Sequence, residues 1–414
     1  MDDEVVAWLT EHAMPVDPDG LSSWRPSLAD VRVLGIGAAA HGARELLEVG
    51  RRLVQYAVED LGARVVVLGA SESGATAVDA AVRGSGVPGD AVRALGGWEY
   101  DTHEVVNLVS WLRDHNELLA PSEQVRVLGA DAVRGAASVR SLATFCHATA
   151  PDLLPDVRDS LAELLDHEPS VRTLKPRVRD DVVGLHERMI AEEARLVAES
   201  TPEGYAEALH HAEILSRIAE VACAPTGREP RDGEPEEPLT SGNQPVLRAR
   251  FAAEAVERAA RDRSGTPAVV FWGHDDQVRV GDPGTAGRHL RAAFGQAYYA
   301  VGGLFGEGGA SAVKIRPLNA TRPRPTTHKL RRLDGTVEDD LRTVLGDGGE
   351  RLVDLRAARD ADGAVSEWTW TPALTRRLGL QLDSADRRTR TPIVPAAEFD
   401  AFTHVARVQP AWIR

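Results

Sequence analysis

The chain is short of cysteine, of lysine and of long apolar runs, and each shortage narrows what it does. Of its 414 residues only Cys146 and Cys223 are cysteines. They lie far apart among apolar neighbours, which excludes a CxxC redox motif and a disulfide framework and leaves two inert thiols as the expectation. Lysine stands only at Lys175, Lys314 and Lys329, and the formal net charge is −15. A general binder of nucleic acid or of a membrane surface is disfavoured, because both partners are anionic. No apolar run approaches the roughly 20 residues of a membrane-spanning helix. The opening Met1-Asp2-Asp3-Glu4 is acidic, the opposite of a signal peptide's basic start, so a cytoplasmic protein is expected. HExxH and GxSxG are both absent, which removes the helix-borne zinc motif and the nucleophile elbow. No cofactor and no resident metal are expected.

What is present is an alternation of short apolar runs with amphipathic ones. Val31–Ile36, Arg64–Leu68, Val125–Leu128, Ala268–Trp272, Tyr298–Leu304 and Leu352–Leu355 read as strands. Helices are predicted over His41–Leu61, Ala75–Arg83, Glu104–His115, Arg248–Arg261 and Gly284–Phe294. Strands separated by helices imply an α/β fold, a mainly parallel sheet flanked by helices. From about 151 to 222 the pattern turns wholly helical, with Val182–Glu199 and Tyr205–Ala222 the clearest helices. This reads as a helical insertion within a single domain of 1–414. A Pro/Gly/Glu-rich stretch at about 224–245 reads as a flexible loop. Phe399–Val408 is expected as an edge strand.

In open parallel sheets, ligands bind beyond the carboxyl ends of strands. Two such ends carry histidine. Gly35-Ile36-Gly37-Ala38-Ala39-Ala40-His41-Gly42 makes a tight turn that places His41 at or near a helix N-terminus, where positive potential favours the neutral imidazole of a general base. Trp272-Gly273-His274-Asp275-Asp276-Gln277 ends an apolar strand in polar groups. His274, Asp275 and Asp276 suit an acid/base site, a metal site, or merely a capped helix. A third strand end presents Asp131, which either orients a histidine or caps the next helix. Lys314, Arg316, Arg322, Arg324, Lys329, Arg331 and Arg332 cluster around His328, as a solvated loop or as a receiver for an anionic substrate. His210 and His211, adjacent on a helix, point apart and do not suit one metal.

Taken in order, these segments resemble the erythromycin esterase family. His41-Gly42-Ala43-Arg44-Glu45 resembles its HGTRE-type segment, and Trp98, Thr102 and Glu104 through Trp111-Leu112-Arg113-Asp114-His115-Asn116 resemble its W-x-W-x-T-x-E…W-L-R-x-H-N stretch. Val127–Asp131 is similar to its YGFD strand, Trp272-Gly273-His274 to its WAHNxH strand end, and Tyr298–Gly308 to YYAIGFLFGEG. The matches run in order from about 31 to 410. The resemblance implies hydrolysis of a lactone by a histidine-activated water without a covalent intermediate. It assigns the base to His41 and the first histidine of the HNxH motif to His274. Substrate-binding roles are expected of Arg44, Glu72, Trp98, Asp276 and Glu307, with Glu72, Asp275 and Asp276 as replacement carboxylates from shifted positions. The chain departs from the pattern at Ala38 and Gly69, where the family has glutamates, at Gly50, where it has a basic residue, and at Asp275 and Gln277 within HNxH. Three readings stay open. One is a rewired enzyme acting on a small natural product by ester or lactone hydrolysis, elimination or cyclisation, with His41, His274, Asp131 and Asp275 as its catalytic set. The others are a non-catalytic ligand binder and a metal-dependent hydrolase. The space left by Ala38 and Gly69 is expected to admit substrate or a shifted carboxylate.

Overall fold

β-Branched, almost uncharged runs such as Arg64-Val65-Val66-Val67-Leu68 have no polar face to offer water, so they form strands covered on both sides. The computed structural model describes residues 1–165, 167, 173–226, 240–261, 263, 265–314, 324–379, 381–382 and 389–414. Its strands are β1 (Met14–Pro15), β2 (Val33–Ile36), β3 (Val65–Ser71), β4 (Arg126–Asp131), β5 (Val269–Trp272), β6 (Tyr298–Lys314), β7 (Thr326–Leu330), β8 (Glu350–Asp354), β9 (Ala373–Arg376), β10 (Gln381–Leu382), β11 (Arg390–Ile393) and β12 (Ala401–Val408). The main sheet runs β1-β8-β12-β6-β2-β5-β3-β4, with β7 and β10 also pairing with β6. From β12 to β4 every neighbour is parallel. The small sheet β9–β11 is antiparallel.

Alternate residues of each strand serve two cores. Leu34, Ile36, Val66, Leu68, Val270 and Trp272 pack with helix Arg44–Glu59 on one face. Val33, Val65, Val67, Val269 and Phe271 pack with helices Gln244–Arg261 and Ala286–Phe294 on the other. The chain therefore leaves β2 toward one face and β5, its neighbour, toward the other. In open sheets of this kind ligands bind at such a reversal, beyond the carboxyl ends of the two strands.

The helical insertion forms a third core with helices Arg158–Leu165, Pro176–Ala191, Glu193–Glu199 and Pro202–Cys223. Val182–Glu199 is thus two helices, broken at Glu192, which leaves helical geometry at ψ 15°. β12 is interior, between β8 and β6, and not an edge strand; it reads as one by sequence only because it is the last strand of the chain. β6 continues far past Leu304, because its glycines accept an extended backbone packed closely by neighbouring chain. Most of the 224–245 loop, residues 227–239, lies outside the described residues, as do Arg316 and Arg322. Arg324, Lys329, Arg331 and Arg332 are exposed around the β6–β7 hairpin, Arg332 pairing with Asp339. Cys146 is buried, its thiol pushed up to about 11 by loss of water, and the Cys223 thiol is raised for the same reason. Both are inert. No helix among the described residues is long and apolar enough to cross a membrane.

Candidate active site

The turn after β2 and the strand end of β5 bring the two histidines together. The His41 and His274 rings stack with centroids 5.0 Å apart and planes at 28°. Helix formation after β2 begins only at Arg44, so His41 stands in a turn before the helix and not on its first turn. Among the described residues its ring nitrogens make no hydrogen bond. Its pKa is lowered to about 3, first by withdrawal from water and then by His274, so His41 is a neutral imidazole.

His274 is held from three sides. Its backbone N–H donates to Oε1 of Gln277 at 2.9 Å, and its Nδ1 accepts from the N–H of Asp276 at 3.2 Å, a capping box at the start of helix Asp275–Val278. Its Nε2–H donates to the carbonyl of Leu378 at 3.2 Å. When His274 is protonated, Nδ1 faces Oδ2 of Asp276 at 3.4 Å. Burial lowers its pKa, and the Asp276 carboxylate more than offsets this, so the net direction is up. Asp276 is itself gripped by Arg279 at 3.1 Å and Arg377 at 3.3 Å. Loss of water raises the Asp276 carboxyl, but His274 and these two guanidiniums outweigh it and keep it ionised. Asp275 points into the protein, accepts from Gly303 N–H at 3.0 Å, and is pushed up to about 7 by burial.

Two of the departures from the family pattern are explained sterically. A Cβ on Gly69 would lie 2.2 Å from Oε1 of Gln277. Gln277 Nε2 donates to the Gly69 carbonyl at 2.9 Å. Gln277 thus fills the space expected for substrate, and the two substitutions complement each other. At Gly50 a Cβ would meet Trp272 Nε1 at 2.5 Å, so the indole occupies the room a basic side chain would need. Ala38 is buried, and its carbonyl accepts from Asp275 N–H at 3.1 Å.

The other predicted residues divide. Asp131, at the end of β4, holds Arg248 through two hydrogen bonds, one of 2.8 Å to Nε, and does not bond either histidine. Glu72 starts the helix after β3 and is bound by the buried Arg217 of the insertion. Arg44 lies 4.3 Å over the Trp412 ring and bonds Gln409, clamping the C-terminal segment. Glu307 pairs with Arg342 and Arg407 on the far half of β6. Trp98 is a half-buried turn residue. In the insertion, His211 meets Ser138 at 3.0 Å and His210 lies 3.8 Å from Glu213, with the two ring centroids 6.3 Å apart. No group of three or more His, Cys, Asp or Glu among the described residues is arranged to hold a metal.

Sequence reasoning missed Tyr100, Arg377 and Leu378. Tyr100 packs its ring 5.6 Å from His41, at 60°. Its position lies inside the W-x-W-x-T stretch, on the second tryptophan, which was the available signal. Arg377 and Leu378 follow β9 and lie across the strand ends: Leu378 N–H donates to Ala39 at 2.7 Å and its carbonyl accepts from His274. No motif marked them.

The fold is an open, mostly parallel α/β sheet with a cluster of histidines and aspartates at its strand-order reversal. The erythromycin esterase family model matches residues 58–408, and the chain belongs to that family. A protein from Bacillus cereus shares the fold at TM-score 0.77 and 19% identity, over 100% of this chain and 99% of its own. A succinoglycan biosynthesis protein does so at TM-score 0.76 and 17% identity, over 100% and 98%. A histidine-to-asparagine variant of the erythromycin esterase EreC in its open conformation follows at TM-score 0.62 and 12% identity, over 96% and 98%. No curated protein matches.

Proposed function

We propose that the chain is an esterase-like hydrolase that opens an ester or lactone of a small natural product with a water activated by His41. Family membership supports the reaction class, and the stacked His41–His274 pair carries the assignment of roles. Two titratable groups whose surroundings push their pKa values apart are suited to opposite proton-transfer roles. His41, unbonded and neutral, is the proton acceptor. His274, backed by Asp276, Arg279 and Arg377, supplies positive charge or a proton beside it. With a pKa lowered to about 3, His41 is by itself a weak base. Arrival of water and of negative charge on the attacked carbonyl raises it during reaction. Asp275 supports this pair from beneath, and Asp131 borders the site through Arg248. Elimination or cyclisation from the same base would use the same proton transfer.

The test is turnover of p-nitrophenyl esters and of six-membered to macrocyclic lactones by wild type, His41→Ala and His274→Ala. Loss of general-base assistance should lower kcat/KM by about 10²–10⁴-fold in His41→Ala. Unchanged turnover in that variant would reject the assignment.

A further inference from the structure

Tyr100 has the features of a hydroxyl waiting for a ligand. Its ring borders His41 at 5.6 Å, and the residue is only 6% exposed. Its hydroxyl is buried and has no hydrogen-bond partner among the described residues. Burial of a hydroxyl without a partner is unfavourable, so a fold keeps one where something else compensates. Of the surrounding charges, Asp131 is held by Arg248, while Glu99 gives one oxygen to Arg134 at 3.4 Å and keeps Oε2 buried without a partner among the described residues. Burial and the Glu99 and Asp131 carboxylates hold the phenol neutral, far above its ordinary range, so it is a donor. The family pattern places tryptophan here, and this chain has a phenol instead. At the site, Ala38 and Gly69 bring no carboxylate.

We propose that Tyr100 is a catalytic residue that donates a hydrogen bond to the carbonyl oxygen of the substrate. The inference rests on the hydrolase reading above. Water attacks the carbonyl carbon and forms a C–O bond while its proton passes to a ring nitrogen of His41. The carbonyl π pair moves onto oxygen, where the Tyr100 O–H holds the developing oxyanion. Collapse restores the carbonyl and breaks the ester C–O bond, and the leaving alkoxide takes a proton from the protonated imidazole. The products are one acid and one alcohol.

The experiment is Tyr100→Phe, which removes one oxygen and keeps the packing, compared with wild type and His41→Ala. Three readouts are taken: p-nitrophenyl acetate turnover, calorimetric binding of p-nitrophenyl methylphosphonate as a tetrahedral-anion mimic, and Tm. Losing one oxyanion donor should lower kcat by about 10²-fold with KM within about threefold. Phosphonate affinity should fall with kcat. Tm should rise, because an unsatisfied buried hydroxyl is gone, and a merely structural tyrosine would not combine a higher Tm with a lower kcat. Unchanged kcat in Tyr100→Phe beside a dead His41→Ala overturns the Tyr100 role and leaves the hydrolase reading standing. If no ester is turned over, the hydrolase reading falls. The phosphonate titration then decides for Tyr100 separately: weaker binding in Tyr100→Phe supports it as an anion donor, while equal binding, or none to either protein, overturns it.

Discussion

Asp275 and Asp276 are neighbours in sequence with opposite electrostatics. Asp276 turns toward two guanidiniums and stays ionised, whereas Asp275 turns inward and is raised to about 7. A protonated Asp275 has nearly the shape and hydrogen-bonding capacity of the asparagine that the family pattern places there. The sign of its linkage follows: a carboxyl with a raised folded pKa contributes stability that is whole below the unfolded value of 3.8 and is lost progressively as pH climbs from there to about 7. Asp275→Asn should therefore raise Tm more at pH 8.5 than at pH 5, read by thermal scans at the two values. An equal effect at both would mean that Asp275 is already ionised. At this scale the sequence marked His41 and His274 correctly as strand-end groups. It did not show that Asp131 and Glu72 spend their carboxylates on Arg248 and Arg217, because those partners arrive from helices more than a hundred residues away.

At the level of elements, the insertion is bound to the sheet by charge as well as by its apolar core. Arg217, in helix Pro202–Cys223, and Glu72, at the end of β3, each keep only 9% of their side chains exposed. Breaking such a buried pair from one side leaves an uncompensated charge and costs about 3–5 kcal/mol. Arg217→Met should lower stability by that order in chemical denaturation, and adding Glu72→Gln should restore much of it. A loss below about 1 kcal/mol would show that the insertion docks by apolar contact alone. The strand β5 and its following turn form a second unit. The capping box at His274 depends on Gln277, whose amide also reaches Gly69. In sequence, Gly69 and Gln277 read as two independent losses. In space they are one replacement, and only a contact spanning 208 positions reveals it.

For the whole molecule, two neutral histidines, His404 buried and His41 half-buried, set the acid limit. His41 and His404 have pKa values lowered to about 3 and about 4, chiefly by burial. A depressed imidazole contributes stability above its unfolded pKa of about 6.5, and the contribution disappears as pH falls toward the folded value. Tm should decline from pH 6.5 toward pH 4, and His41→Ala should flatten part of that decline. Asp275 acts in the opposite direction over the same window, so the check is the difference between the two proteins: wild type and His41→Ala declining in parallel would contradict the His41 contribution. The parallel α/β plan was legible because buried strands and amphipathic helices leave different periodicities, as in Arg64–Leu68 against Arg44–Glu59. Strand order was not, since β12 carries the same apolar alternation whether it lies inside or at an edge. The strand end at β5 was visible for the same reason as the plan, while the Leu378 strap was not, because it acts through a backbone carbonyl.

β2 pairs only with β5 and β6, which follow it in the chain by more than two hundred residues. During synthesis the ribosome therefore delivers β2, the paired strands β3 and β4, and the helical insertion before either of these partners of β2 exists. Through that interval Val33–Ile36 is an apolar strand with two open edges, and the site has one wall. A chain released before Trp272 carries that unpaired strand permanently, so the long wait at the centre of the sheet is where premature termination or slow translation exposes this protein to aggregation.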